Sequence, residues 1–182
     1  PGTFTVPAIN IRGIAYDSAR ALFRSRKTLD AGAVICEIAR SEIAYTDQRP
    51  DEYTFVILAA ALREGWSGPV FIQGDHFQIN AKKYAASPEA EMQAVLDLTA
   101  EAMRCGFYNI DVDTSTLVDL AKPTHAEQQA LNGRLCAEIT AFIRKHEPVG
   151  VTVSVGGEIG EVGGKNSTAE ELSAFVEVYN SQ

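Results

Sequence analysis

The segment PVFIQGDH, residues 69–76, combines the structural pattern of this chain with its most reactive pair of side chains. A short apolar run of the kind that forms buried strands ends abruptly in a carboxylate, Asp75, and an imidazole, His76. At the carboxyl end of a strand, an imidazole can bind a divalent cation while a neighbouring carboxylate transfers protons. An isolated Asp-His pair is more often structural than catalytic, so the rest of the chain has to decide between these interpretations.

Short apolar segments and longer helical segments alternate along the whole chain. The predicted strands start 27 to 41 residues apart, which is the length of a strand plus a crossover helix. The sequence Thr168-Ala-Glu-Glu171 has the form of a capping box and predicts where the last helix begins. Strands are predicted at Val6–Ile11, Ala33–Ile38, Pro69–Gln73, Tyr108–Val112 and Val149–Val155, and helices at Tyr16–Arg26, Asp51–Glu64, Pro88–Cys105, Thr124–His146 and Ala169–Tyr179.

This alternation predicts an α/β fold with a parallel sheet and right-handed crossovers. Two architectures fit the pattern: a five-stranded doubly wound sheet, or part of an eight-stranded (β/α) barrel. A complete barrel needs about 250 residues, and the chain has 182.

The composition narrows the possible functions. The chain is 46% hydrophobic and 22% charged, and its formal net charge is −8, which argues against binding to nucleic acid or to an anionic membrane. The longest apolar run, Phe55–Leu62, is too short to span a bilayer. Because Cys36, Cys105 and Cys136 are odd in number and widely spaced, we expect reduced core cysteines in a cytoplasmic protein.

Polar residues follow all five predicted strands at the same end. In parallel α/β folds that end forms the rim of the active site, so five such groups in register favour a functional site over coincidence. The residues are Asn10 and Arg12; Glu37, Arg40, Ser41 and Glu42; Asp75 and His76; Asp111, Asp113, Thr114 and Ser115; Glu158 and Glu161.

Several of these residues also have a structural interpretation. Arg12 is equally compatible with a surface ion pair. Asp111 and Asp113 share one face of a strand because strand side chains alternate with period two, but Asp113-Thr-Ser is also typical of a turn or a helix cap. His125 and His146, near the ends of a predicted helix, are interpreted as surface residues.

The glycine-rich segment GGEIGEVGGK, residues 156–165, is the second strong signal. Its spacing fits neither a Walker phosphate-binding loop nor a dinucleotide fingerprint. Two acidic side chains inside it, Glu158 and Glu161, suit a cation better than a phosphate.

Three of these segments together resemble the class II, zinc-dependent ketose-bisphosphate aldolases. They are FIQGDH (71–76), CGFYNID (105–111) and GEIGEVGG (157–164). The family has a (β/α)8 barrel, so the resemblance implies (β/α) units of a TIM barrel, about the first five of eight. Residues 1–182 would then be a single aldolase-like domain, incomplete at its C-terminus.

The resemblance also implies roles for individual residues. His76 and Glu158 would bind Zn2+ or another divalent metal, with Asp111 supporting the metal site, and Asp75 would transfer the proton at the substrate hydroxyl. The implied enzyme is a cytoplasmic lyase of carbohydrate metabolism, of the glycolytic type. It would cleave a phosphorylated ketose such as a fructose or tagatose bisphosphate, as a homo-oligomer or beside an aldolase partner subunit.

The chain departs from the family at an acidic pair that follows the glycine segment. Lys165 and Asn166 stand there. In the family the second acid is the base that removes the carbon proton, and the amide of Asn166 cannot be that base. Either Glu161 replaces it as the catalytic base, or the reaction differs. This departure leaves two alternatives open. One is a non-catalytic aldolase-like subunit that supports a catalytic chain, and the other is an unrelated small doubly wound ligand-binding domain.

Overall fold

The computed structural model describes residues 5–160 and 165–182, in which strands and helices alternate. The strands are β1 (Ala8–Asn10), β2 (Ile35–Ala39), β3 (Phe71–Gln78), β4 (Asn109–Asp113) and β5 (Ser154–Gly157). The helices are α1 (Ala15–Leu29), α2 (Arg40–Thr46), α3 (Pro50–Arg63), α4 (Ala81–Ala86), α5 (Pro88–Arg104), α6 (His125–His146) and α7 (Ala169–Asn180), with a 3-10 turn at Ser115–Leu117.

The five described strands form one open, all-parallel sheet in the order β1-β2-β3-β4-β5. The register pairs Asn10 with Glu37 and Ala39 with Asp75. The prediction of TIM-barrel units is therefore wrong, because the sheet does not close, and the fold is of the open, doubly wound α/β class. The repeat of strand and helix is common to both architectures, whereas closure depends on strand number, tilt and stagger, which no local sequence pattern specifies.

The chain divides into two compact units. The first contains the described residues up to Asp75 together with Glu101–Asn109. Its core is built on α1, α3 and β2, where Phe23, Ile38 and Tyr53 are fully buried. The Tyr53 ring packs against the Phe107 ring with centroids 5.9 Å apart, so large aromatic surfaces leave water together.

The second unit contains His76–Ala100 and Ile110–Gln182. Its core is formed by apolar residues of β4, α6 and α7, including Val112, Ile139 and Phe175. Capping boxes start α6 and α7. The side chains of Thr124 and Thr168 accept a hydrogen bond from the backbone N–H of the third helical residue, a glutamate, and the carboxylate of that glutamate accepts one from the backbone N–H of the threonine. The start predicted for the last helix is thereby confirmed.

The structure differs from the predicted helices and strands mainly in short elements. Helices α2 and α4 are not predicted by the sequence, and β3 continues past Asp75-His76 to Gln78. Cys36 and Cys136 are buried free thiols, as expected, while Cys105 is partly exposed. Among the described residues, no helix has the length and apolar character needed to cross a membrane.

Candidate metal centre

Three strands of the second unit bring side chains that can bind a metal to one place. His76 lies on β3, Asp111 and Asp113 on β4, and Glu158 directly follows β5. Parallel strands present their carboxyl ends at the same edge of a sheet, so residues distant in sequence meet there. Ligand atoms of His76, Asp113 and Glu158 all lie within 4.8 Å of one another.

The imidazole of His76 is the centre of this group. Its Nδ1 lies 2.8 Å from Glu158 Oε1, 3.3 Å from Asp113 Oδ2 and 3.9 Å from Asp111 Oδ2. A neutral imidazole can donate one hydrogen bond from this nitrogen, yet carboxylates from two other segments face it at short distance. The arrangement concentrates negative charge around one nitrogen ligand, which is the electrostatic environment that a divalent cation requires.

The backbone at His76 is held in an uncommon conformation. Its φ is +41°, in the left-handed region that residues other than glycine seldom occupy. The backbone N–H of His76 donates a hydrogen bond to Asp111 Oδ2 at 3.3 Å, which helps to hold this conformation. Strain of this kind is concentrated at functional sites because the surrounding structure must maintain it.

Asp111 therefore has a role in fixing the backbone of His76. The chain places Gly156 beside it: a Cβ atom at Gly156 would lie only 2.7 Å from Asp111 Oδ1. Any larger residue at position 156 would push the Asp111 carboxylate away from the His76 N–H. This close approach explains the first glycine of the glycine-rich segment.

Asp113 is the ligand candidate that the sequence analysis does not select. Its side chain is 1% exposed, and its two carboxylate oxygens contact different partners. Oδ1 accepts hydrogen bonds from the N–H and Oγ of Ser115 at 3.0 and 2.7 Å, while Oδ2 faces His76 and accepts from Gln78 Nε2 at 2.5 Å. The turn interpretation of Asp113-Thr-Ser accounts only for Oδ1. The available signal was the period of two that places Asp113 on the same face as Asp111.

The carboxyl group of Glu158 has a raised pKa. Burial raises its pKa to about 7, and repulsion by Asp113 and a hydrogen bond with Asp111 act in the same direction, while His76 opposes them. Carboxyl groups crowded together without enough positive charge have raised pKa values for this reason.

The donor set fits a divalent metal. One imidazole nitrogen and two carboxylate oxygens are ligands that Zn2+ accepts, and carboxylate oxygens also suit Mg2+ or Mn2+. Ligands at about 2.0 Å from a tetrahedral Zn2+ lie about 3.3 Å apart; the His76–Asp113 distance is 3.3 Å, and the His76–Glu158 distance, 2.8 Å, is shorter. His76 is 44% exposed, so an ion can reach the site from the His76 side.

The other residues selected from the sequence have different positions. Asp75 lies on β3 opposite Ala39, in the first unit. Glu161 lies outside the described residues. Lys165 Nζ forms an ion pair of 2.6 Å with Glu171 Oε1 at the start of α7. His125 and His146 are exposed at the two ends of α6, in agreement with the surface interpretation.

Comparison with known proteins identifies a similar fold but assigns the chain to no family. No family model matches the chain, and no curated protein matches it. Among solved structures, the chain is similar to a probable tagatose 6 phosphate kinase from Sinorhizobium meliloti 1021, with a TM-score of 0.69 and 19% sequence identity. The similarity covers 98% of this chain and 44% of that protein, so the chain spans less than half of that protein's length. At this identity the likeness shows the fold alone.

Proposed function

We propose that this protein binds a divalent cation through His76, Asp113 and Glu158 and catalyses the reversible aldol cleavage of a phosphorylated ketose. The observation that carries the proposal is the convergence of Glu158 Oε1 and Asp113 Oδ2 on His76 Nδ1 at 2.8 and 3.3 Å. The reaction class comes from the three segments that resemble class II aldolases, two of which contain His76 and Glu158. The buried free thiols of Cys36 and Cys136 support a cytoplasmic location, where cysteines stay reduced.

In the proposed mechanism some residues bind the cation and another transfers a proton. A divalent cation supplies Lewis-acid polarisation of a carbonyl when it is bound. His76, Asp113 and Glu158 would hold the cation. Asp111 accepts a hydrogen bond from the backbone N–H of His76 and so keeps the His76 backbone in place. In this proposal Asp75 accepts and returns the proton of the substrate hydroxyl when the carbon–carbon bond breaks and forms.

Metal binding tests the first half of the proposal. We expect the purified protein to bind Zn2+ or Mn2+ stoichiometrically in calorimetry, and His76→Ala to lose at least about tenfold in affinity because it removes the only nitrogen ligand of the three. The matched control is His125→Ala, which removes an exposed histidine from the start of α6. Equal affinity in the His76→Ala and wild-type proteins would refute the ligand assignment.

Turnover tests the second half. We expect cleavage of fructose or tagatose 1,6-bisphosphate by the cation-loaded protein. Asp75→Asn should retain the cation but lose at least about a hundredfold in kcat, the usual contribution of a positioned acid–base group. An Asp75→Asn protein with wild-type kcat would exclude Asp75 from proton transfer.

A non-catalytic aldolase-like subunit is the second candidate function. The observation that favours it is the ion pair between Lys165 and Glu171, which gives a structural task to a position where the resembled family has an acid. This candidate predicts metal binding without turnover, and an increase in the activity of a catalytic aldolase chain on mixing. Turnover by the isolated protein would rule it out.

A further inference from the structure

Two buried amide side chains of α6 hold the segment that carries Glu158. Gln129 and Asn132 are completely buried, and they lie three residues apart, on one face of the helix. Asn132 Nδ2 donates a hydrogen bond to the backbone oxygen of Glu158 at 2.7 Å, and Gln129 Nε2 donates to the backbone oxygen of Ile159 at 2.8 Å. Two successive carbonyl groups of the glycine-rich segment are therefore fixed by side chains from one helix.

The same network reaches the strand end that carries Asp113. Thr114, the residue after Asp113, is fully buried and donates from Oγ1 to the backbone oxygen and to Oδ1 of Asn132, at 2.9 and 2.5 Å. Asn132 Nδ2 also donates to Gln129 Oε1 at 2.8 Å. Asn132 thus contacts both segments that present a carboxylate to His76.

We propose that Asn132, together with Gln129, is a positioning residue that sets the spacing between the carboxylates of Glu158 and Asp113 and so preorganises the cation site. The inference rests on the proposed function, because the cation is the ligand of the site. The side-chain amides donate to the backbone oxygens of Glu158 and Ile159 rather than to a carboxylate of the site. Each acts through the backbone next to a ligand, as residues behind a metal site do when they orient the groups that bind the ion.

Physical chemistry explains why this arrangement needs amides. Buried polar groups are costly unless every donor and acceptor is satisfied, so core positions on a helix are normally apolar. Asn132 uses its donor and acceptor groups toward three different partners. Next to Glu158, Gly156 and Gly157 give the backbone wide conformational freedom, which external hydrogen bonds must restrict if Glu158 is to stay near His76.

The decisive variant is Asn132→Asp, which keeps the size of the side chain and the acceptor for Thr114 but removes the donor to Glu158. By charge alone, an added carboxylate near a cation site strengthens cation binding. Loss of the hydrogen bond that positions Glu158 weakens cation binding, so the two effects change the Kd in opposite directions. We expect the Kd for Co2+, measured by calorimetry, to rise about 10- to 100-fold, the usual effect of removing such a support. The visible absorption bands of bound Co2+ should also change.

The matched control is Thr140→Val on the same helix. Thr140 is buried, and its hydroxyl donates to the backbone oxygen of Cys136 at 2.8 Å, within α6 itself. We expect Thr140→Val to lower the Tm while leaving the Kd and the Co2+ spectrum unchanged. If Asn132→Asp fails to fold, Gln129→Met removes the donor to Ile159 and should raise the Kd in the same direction.

Hydrogen exchange of the metal-free protein separates this inference from the proposed function. We expect backbone amides of the segment 154–160 to exchange at least about tenfold faster in Asn132→Asp than in Thr140→Val. Without the hydrogen bond from Asn132 to the backbone oxygen of Glu158, local opening of the segment costs less free energy. A wild-type protein that binds no Co2+ would refute the proposed function while this exchange result stood. Wild-type Kd, spectrum and exchange in Asn132→Asp would overturn the positioning role.

Discussion

Two clusters of polar residues that follow strands differ in how their charges are balanced. In the first unit, Glu42 accepts hydrogen bonds from Arg12, from Asn10 and from the backbone N–H of Ala39, at 2.8, 2.7 and 2.9 Å. In the second unit, Asp113 and Glu158 face one imidazole, that of His76. The first cluster includes the guanidinium of Arg12, which balances the charge of Glu42, whereas in the second cluster the carboxylates of Asp111, Asp113 and Glu158 lie around one imidazole.

The pKa values of Glu42 and Glu158 shift in opposite directions because of this difference. Burial opposes ionisation of Glu42, but the hydrogen bonds from Ala39, Asn10 and Arg12 outweigh it and lower the pKa. Burial and neighbouring carboxylates raise the pKa of Glu158 to about 7. The same sequence signal, polar residues after a strand, thus produces a cluster with balanced charge in one unit and, under the proposed function, a cluster that a bound cation would complete in the other.

The largest expected effect is stabilisation by that cation. A ligand that binds only the folded state stabilises it by about 4 kcal/mol at a free concentration of 1,000 Kd. We expect Zn2+ or Mn2+ to raise the free energy of unfolding by this amount in urea titrations, and EDTA to reverse it. At the same free concentration, His76→Ala should reduce the increment by at least about 1.4 kcal/mol, the equivalent of tenfold weaker binding, and Glu42→Gln should keep it. An equal increment in His76→Ala would mean that the cation binds elsewhere and would remove the contrast between the clusters.

The next effect is the loss of the cluster with balanced charge. Glu42→Gln removes the charge that Arg12 and the Ala39 N–H face, and hydrogen bonds to a charged, buried group contribute about 1.5–3 kcal/mol. We expect the metal-free protein to lose about 2 kcal/mol in its free energy of unfolding, measured by chemical denaturation. Glu52→Gln on α3 is the matched control, since Glu52 is exposed. A loss no larger than that of Glu52→Gln would contradict the structural role of Glu42.

The same substitution in the other cluster should have the opposite sign. Glu158→Gln removes one of the carboxylates that repel each other, and partial exposure of Glu158 reduces the gain. We expect the Tm of the metal-free protein at pH 8 to rise by about 2–4 °C, equivalent to about 1 kcal/mol, while cation binding weakens. A Tm decrease like that of Glu42→Gln would show that both clusters are structural.

The sequence predicts the parts of this comparison that depend on local pattern. The helix predicted at Thr124–His146 is found at His125–His146 because its capping box and apolar face are both encoded within a few residues. The strand predicted at Val149–Val155 is found at Ser154–Gly157, since Gly150 has a φ of +80° and the β-branched residues before Ser154 lie in a loop. Closure of a barrel is not local, and the prediction of barrel units is wrong for that reason.

The candidate site shows the same limit. His76 and Glu158 follow strand-like runs and can be selected from the sequence. Asp113 cannot be ranked above Asp111, because which of two carboxylates on one strand faces the imidazole depends on the left-handed backbone at His76 and on hydrogen bonds from Gln78 and Ser115. The hydrogen bond from Gln78 to Asp113 joins positions 35 residues apart, which no local sequence pattern specifies.

The smallest expected effect is the pH dependence contributed by Glu42. Its pKa is lowered in the folded protein, so its contribution to stability is fully present above the unfolded value of about 4.3 and is lost as the pH falls through the folded pKa. We expect the free energy of unfolding of the wild-type protein to fall more steeply between pH 6 and pH 3 than that of Glu42→Gln, because the amide does not titrate. Each curve should be measured with EDTA present, so that cation binding does not contribute. Parallel curves would mean that the pKa of Glu42 is not lowered by folding. The charge of Glu42 would then not be balanced by Arg12, Asn10 and Ala39, and the contrast with the cluster around His76 would be lost.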